Sequence, residues 1–511
     1  MKIRSILCLS AFALLANSAS AQNRLINRVD FSRLAPIATQ QFHEAQPGQV
    51  WNNSNYEGLL TAIRGLENHG LNPEHYHLSS LIQNRDNKEA RERLATDAWL
   101  SAAAHMVYGK LSPTSVEPDW TAASRSEDLT GKLSDALSSG NLAESLGALA
   151  PKQPGYAALI TEYESLRELA DAGTNIIPAG ETLKPGMSGA RVATLQLRLV
   201  ELGLLSGQED PSGKMDNLTL EAVKTFQRNA DLDDDGVVGA ATLSALNRGV
   251  QEKLNTLRVN LERWRWLPEE LGRRHLRANI AGFNVTTYED GQPVRTHLTI
   301  VGKPYRKTPV FSDEVEYAVF NPWWETPYSL ATKDKVPLFR KDPDAVKRLG
   351  FQVLDKDGMA VNSSSIDWNS VGPGNFPYRL RQAPGEQNAL GQVKIIFPNK
   401  HNVYLHDTPT RGLFSQRQRA FSSGCMRTQD PLALSAWLLE DTPGWTKERI
   451  ETVVKSGKET RVDLKVRVPV HVLYFTAVNE GLGGVRYLDD IYSRDAAVLA
   501  GLRTAPEKDK L

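Results

Sequence analysis

Cysteine is close to absent from this chain of 511 residues: there are two, Cys8 and Cys425. An excess of either charge is also lacking, because 60 Lys and Arg offset 60 Asp and Glu. That balance leaves no electrostatic footprint for nucleic acid or for an anionic membrane surface. Glycine (37) and proline (27) stay near ordinary usage, which excludes collagen-like and low-complexity chains. Beyond the N-terminus no apolar run approaches the roughly 18 residues of a membrane span, so no membrane insertion of the mature chain is expected. The apolar stretch Ile6 to Ala16 follows Lys2 and Arg4 and precedes Ala19-Ser20-Ala21. A basic start, a short apolar core and a small-residue cleavage site read as a secretory signal peptide, residues 1–21, cut after Ala21. A periplasmic mature protein is expected. Cys8 leaves with the signal. The single thiol left, Cys425, excludes an internal disulfide and is either a buried inert group or a reactive one.

At about 100–200 residues per domain, the length suggests about three domains. Residues 22–178 read as a helical scaffold. Tyr156, Leu159, Ile160, Tyr163, Leu166 and Leu169 fall on one helical stripe, and the apolar run Ala98 to Val107 ends near Gly109. His75 and His77 lie two apart in a polar stretch and read as solvated surface, so no metal is assigned. Residues 183–247 read as a small three-helix unit striped by Leu195, Leu199 and Leu202, then Ala222, Val223 and Phe226, then Leu243 and Leu246. Asp231, Asp233, Asp235 and Gly236 imitate a calcium loop, but Thr242 stands where its bidentate glutamate is needed. Residues 255–480 change to short strand-like runs, with Asp290-Gly291 as a hairpin signal. Residues 321–385, rich in Pro, Asp, Lys and Trp, interrupt that domain as a substrate-capping insertion, and 481–511 read as a C-terminal tail.

The chemistry concentrates in two stretches. Val403-Tyr404-Leu405-His406-Asp407 reads as a strand ending in histidine, and Ser422-Ser423-Gly424-Cys425-Met426-Arg427 holds the thiol. A thiol becomes a nucleophile when a base or a cation helps it lose its proton, and histidine can serve as either. Such a pairing would lower the thiol's pKa, whereas a dry site would raise it. Small residues before Cys425 would let a substrate carbonyl approach the backbone, where the amides of Gly424 and Cys425 could form an oxyanion hole.

The order His406, fifteen residues, then Ser422-x-Gly424-Cys425-x-Arg427 resembles the signature of the L,D-transpeptidases. Ser423 departs from the family's usual second histidine. The resemblance extends through Val301-Gly302-Lys303-Pro304, Tyr378 to Arg381 and Asn388 to Gly391. Residues 183–247, through Gly186 to Gly189 and Asp235 to Gly239, resemble small peptidoglycan-binding domains. The arrangement is similar to the large Gram-negative members. It implies a multidomain α+β chain: helical scaffold, three-helix wall-binding domain, and a mostly β, sandwich-like catalytic domain with an inserted lid.

By that resemblance, Cys425 attacks the diaminopimelate–D-Ala bond of a peptidoglycan tetrapeptide stem and releases D-Ala. The thioester then passes to an amine to give a 3→3 cross-link, His406 acting as base. No cofactor is implied, and carbapenems would inhibit. Tyr404, sharing the strand face with His406, is a candidate stem contact. Arg427, Ser422, Ser423, Trp323, Trp324, Arg379 and Arg381 are further candidate substrate contacts. For several the structural alternative stays open: a salt bridge for Arg427, insertion packing for the tryptophans, a solvated strand face for Arg379 and Arg381. Either Asp407 or a backbone carbonyl could orient His406. The competing functions are a cell-wall cysteine hydrolase, against which the order His before Cys argues, and a non-catalytic wall-binding scaffold.

Overall fold

The computed structural model describes residues 34–505 except 47, 49, 170–174, 207–210, 231 and 480–483. The expected signal peptide and Cys8 lie outside the described residues, as does Asp231. The chain divides into two compact units, 1–271 with 475–511, and 272–474.

The first unit is helical. Its long helix Lys88–Tyr108 starts where the Asn87 side chain accepts the Ala90 amide, and it stops at Gly109, whose φ of 87° lies outside helical space. In Pro154–Leu169 the expected stripe is buried at Tyr156, Leu159, Tyr163 and Leu166. Helix Val250–Arg265 packs against it, and so does Asp495–Arg503 against Val250–Arg265. The segment read as a tail therefore carries a helix of this unit, where Val498 and Leu502 bury their side chains. The catalytic region is correspondingly shorter than 255–480, since its first and last stretches belong to this helical unit.

Within the same unit, Ala190–Glu201, Asn217–Asn229 and Ala240–Leu246 are the three helices of the small module read at 183–247. Leu195, Leu199, Val223, Phe226 and Leu246 form its core. Thr242 is buried, and its hydroxyl donates to the Val237 carbonyl at 3.3 Å, a loop-closing bond. His75 and His77 are engaged by Lys110 at 2.7 Å and Asp97 at 2.8 Å. Among the described residues no helix is long and apolar enough to cross a membrane.

The second unit is mostly β. Its strands are β1 (Arg274–Asn279), β2 (Asn284–Glu289), β3 (Gln292–Gly302), β4 (Phe311–Phe320), β5 (Trp324–Thr326), β6 (Phe351–Leu354), β7 (Ala360–Val361), β8 (Arg379–Gln382), β9 (Val393–Ile396), β10 (Leu405–His406), β11 (Ala420–Ser422), β12 (Met426–Thr428) and β13 (Thr460–Leu473). Nine of them form one sheet in the order β11-β3-β12-β10-β9-β4-β13-β1-β2, and β2 also pairs with β3. The sheet thus closes on itself. The mostly β expectation holds, and the sheet can fold back on itself because β3 is long enough to change partners: Gln292 to Leu298 face β2, while Thr299 and Ile300 face β12. The turn between β2 and β3 is the expected Asp290-Gly291 pair, both with positive φ (47° and 77°), which matches the twist of the flanking strands. Ile300, Val393, Ile395, Leu405 and Met426 are fully or almost fully buried, each adding about 2 kcal/mol of apolar burial.

The insertion after β4 has its own four-stranded sheet, β5-β8-β6-β7, and its own core of Trp324, Val336, Phe339, Phe351, Trp368 and Leu380.

His275 in β1 stacks on Tyr288 at 4.8 Å, and its Nδ1 is held by the Gly272 carbonyl at 2.8 Å. Burial lowers its pKa to about 4. The folded state therefore resists its protonation while the unfolded chain accepts it near pH 6.5. Stability should be complete above pH 6.5 and fall by about 1.4 kcal/mol per pH unit for this group as pH drops toward 4. Urea unfolding at stepped pH should show this contribution, and His275→Phe should reduce the acid slope by about that amount while the other buried histidines keep theirs.

Candidate active site

Strand β10 is two residues long, and its pairing builds the site. It runs antiparallel to β9, with His406 opposite Lys394, and parallel to β12, with His406 opposite Arg427. Residues two apart on a strand share a face. Tyr404 and His406, Cys425 and Arg427, and Lys394 therefore project from one side of the sheet. Leu405, Ile395 and Met426 fill the core on the other. Cys425 sits beside Tyr404, whose carbonyl accepts the Met426 amide at 3.1 Å, and so lies diagonal to His406.

The His406 Nδ1 lies 2.6 Å from the Asp407 carbonyl. A carbonyl only accepts, so Nδ1 carries the proton and Nε2 keeps its lone pair. This answers which group orients the imidazole. The Asp407 carboxylate points away: it accepts the Gln392 amide at 2.9 Å and is bridged by Arg411 at 3.0 Å. It also lies where a Cβ on Gly391 would stand, and Gly391 has φ of 59°. Only glycine lets β9 begin this close to the carboxylate. Burial, aided by the positive charges of Arg427 and Lys394, pushes the His406 pKa down to about 3, against the Asp407 carbonyl.

The Cys425 thiol contacts the Asn402 carbonyl at 3.5 Å and lies within hydrogen-bonding reach of Tyr404. Asn402 holds a left-handed φ of 53° at the turn before β10. Burial raises the thiol's pKa, opposed by Tyr404, Lys394 and Arg427. Of the two directions the sequence left open, the structure favours the upward one, because desolvation outweighs the neighbouring cations. The resting pair is neutral thiol and neutral imidazole.

The loop that carries Cys425 is held from within. Ser422 is buried; its hydroxyl donates to the Cys425 carbonyl at 2.6 Å and accepts the Gly424 amide at 3.1 Å. That corrects two expectations. Ser422 braces the loop from a buried position, and the Gly424 amide is engaged by it, so of the two amides expected to form an oxyanion hole Gly424 is already bonded. Thr308, buried before β4, accepts the Gly302 amide at 3.0 Å and donates to the Gly424 carbonyl at 2.8 Å. Ser423 is exposed and accepts from Arg306 at 2.9 Å, which also bridges Asp334 of the insertion at 3.1 Å.

Trp324 is buried in the insertion core yet bonds to Tyr404, so it lines the boundary between insertion and site. Trp323 is stacked under Arg381 at 4.5 Å. Arg379 and Arg381 do share a face of β8, but it is the outer one. Arg379 pairs with Glu325 at 3.1 Å and Arg381 donates to Gln352 at 3.0 Å. The structure does not bring Arg379 or Arg381 to Cys425, because β8 turns Leu380 and Gln382 inward, and Trp323, just before β5, is held under Arg381 on that outer face. Lys394, Asn402 and Thr308 went unread in the sequence. Only the lysine inside the apolar run Val393 to Phe397 offered a signal.

Residues 273–454 match the family described as the L,D-transpeptidase catalytic domain. The chain carries an L,D-transpeptidase catalytic domain. Residues 188–246 match a "Putative peptidoglycan binding domain" and 38–162 a scaffold domain. The "Putative L,D-transpeptidase" of Haemophilus influenzae is 37% identical over 242 residues, 47% of this chain and 48% of that protein. The chain thus spans about half the length of this curated relative. An N-acetylmuramoyl-L-alanine amidase, CwlL, of Bacillus licheniformis is 40% identical over 67 residues, 13% of this chain and 19% of the amidase. An L,D-transpeptidase structure from Xylanimonas cellulosilytica aligns with 58% of this chain and 99% of its own, at 16% identity and a TM-score of 0.18.

The neutral resting pair of this transpeptidase domain has a direct consequence. Iodoacetamide should alkylate Cys425 slowly at pH 6 to 7 and faster only above the free thiol value of about 8.5. Lys394→Met should shift the profile further up. A fast reaction at pH 6, followed by mass spectrometry of the Cys425 peptide, would instead mean a preformed thiolate.

Proposed function

We propose that the protein is a periplasmic peptidoglycan L,D-transpeptidase with Cys425 as nucleophile. The observation that supports this reading is the strand register that sets the thiol of Cys425 diagonal to His406, whose Nδ1 is held by a carbonyl so that Nε2 keeps its lone pair. The substrate is the tetrapeptide stem, cut between diaminopimelate and the terminal D-Ala. As the sulfur bonds to the diaminopimelate carbonyl carbon, the thiol proton passes to His406 Nε2. The Cys425 amide holds the oxyanion, and Lys394 and Arg427 add positive potential. The carbon–nitrogen bond then breaks, and the proton moves from His406 to the departing D-Ala nitrogen. An acceptor amine attacks the thioester, His406 removes its proton, and the thiol is regenerated with a 3→3 amide bond.

Because burial keeps His406 neutral down to about pH 3, the base stays available through the acid range. Insertion residues close over Tyr404, and a covered site slows attack by water relative to a seated amine.

Cys425→Ala should lose at least about a thousandfold in D-Ala release from tetrapeptide fragments while retaining its circular dichroism spectrum. Cys425→Ser should give no rescue, because the hydroxyl is far less acidic. A carbapenem should add one acyl mass to the wild type and none to Cys425→Ala. Cross-linked product that appears only with an amine acceptor supports transfer; equal loss of substrate in water alone would favour the hydrolase.

The three-helix module supports wall attachment, which raises the local stem concentration without touching the chemistry. Removing residues 183–247 should weaken co-sedimentation with purified sacculi more than turnover of soluble fragments. Equal sedimentation would reassign the module as a spacer.

A further inference from the structure

Among the described residues, two cations beside the thiol have no carboxylate in direct ion-pair contact. Lys394 and Arg427 flank His406 on neighbouring strands, and both interact electrostatically with Cys425. Among the described residues neither has a carboxylate within ion-pair distance. Glu459 is the carboxylate that acts on Lys394, and its Oε1 accepts the Trp323 amide at 2.8 Å. Arg427 reaches the Thr410 hydroxyl at 3.4 Å. Other arginines of the same unit are paired: Arg379 with Glu325, Arg306 with Asp334, Arg411 with Asp407. Withdrawing two cations from water without an anion is costly, and the Tyr404 ring, 4.1 Å from the Lys394 Nζ, offsets only part of it. The thiol does not balance them, because burial keeps it protonated at rest.

We propose that Lys394 and Arg427 bind the terminal carboxylate of the donor stem and so select stems that end one residue beyond the attacked carbonyl. This rests on the transpeptidase reading. Adjacent residues are about 3.8 Å apart along the chain, so the carboxylate of the last residue reaches the sheet face next to the thiol when its own amide is under attack. In a stem one residue longer, a neutral amide would stand before the two cations and the charge would lie a residue further out. A site built around charged groups rejects an analogue that leaves them unpaired. The carboxylate departs with the leaving amino acid. The cations are then unpaired again beside the thioester, ready for the next donor.

The test uses the full chain with a tetrapeptide bearing a free C-terminal carboxylate and with the same peptide as its C-terminal amide. Release of D-Ala or D-alaninamide gives kcat and KM for each. The wild type should favour the acid by about ten- to hundredfold in kcat/KM, mostly through KM. Lys394→Met should bring that ratio toward one, and Lys394→Arg should retain most of it. A second measurement covers loss of fold: calorimetric binding of the acid peptide to Cys425→Ala should weaken when Lys394→Met is added, with an unchanged melting temperature. Equal wild-type turnover of acid and amide, or a ratio unmoved by Lys394→Met, would overturn the proposal and leave the transpeptidase reading standing. A wild type that releases D-Ala from neither peptide would overturn both.

Discussion

The pairing of β10 with β12 is the constraint on which the site depends. Only Leu405–Met426 and His406–Arg427 are in register, yet this brings together groups nineteen positions apart in sequence. A slip of one residue would send His406 into the core and Leu405 into the cleft. The neighbouring contacts resist that slip. Leu405 and Met426 are buried beneath the strands, Gly391 admits the Asp407 carboxylate, and Ser422 and Thr308 brace the loop on either side of Gly424.

The same burial decides the protonation states. Desolvation penalises every charge on this face, so it raises the thiol and lowers the imidazole together. Lys394 and Arg427 ease the thiolate but oppose an imidazolium. The result is a pair in which no charge exists until a substrate is attacked. On the proposed reading, nucleophile activation would then be part of the chemical step, with the proton moving as the sulfur bonds.

The insertion contributes through one contact region. Its core is separate, and its polar outer sheet face carries paired arginines. Trp324 alone of the tryptophan pair turns toward Tyr404, while Arg306 ties Asp334 to Ser423 beside the nucleophile. The residue that departs from the family's usual histidine is thus held in a polar link to the insertion.

Much was legible in the residues themselves. The helical stripes, the Asp290-Gly291 turn and the His406–Cys425 spacing are local features, and local features survive translation from sequence to structure because propensity and packing agree there. The candidate nucleophile and base were readable for the same reason: few residue types can do that chemistry, and the chain has only two cysteines, one of them in the stretch that reads as a signal peptide. The sequence could not determine the direction of either pKa shift. That sign is a sum of burial and charge over residues from β9, β10 and β12, and only the closed sheet sets their distances. Nor could it separate Arg427, which faces the thiol, from Arg379 and Arg381, which look as basic on paper but lie on the outer face of β8. Lys394 was hidden because an isolated lysine in an apolar strand carries no motif; its meaning comes from standing opposite His406 with no carboxylate among the described residues in direct contact with it.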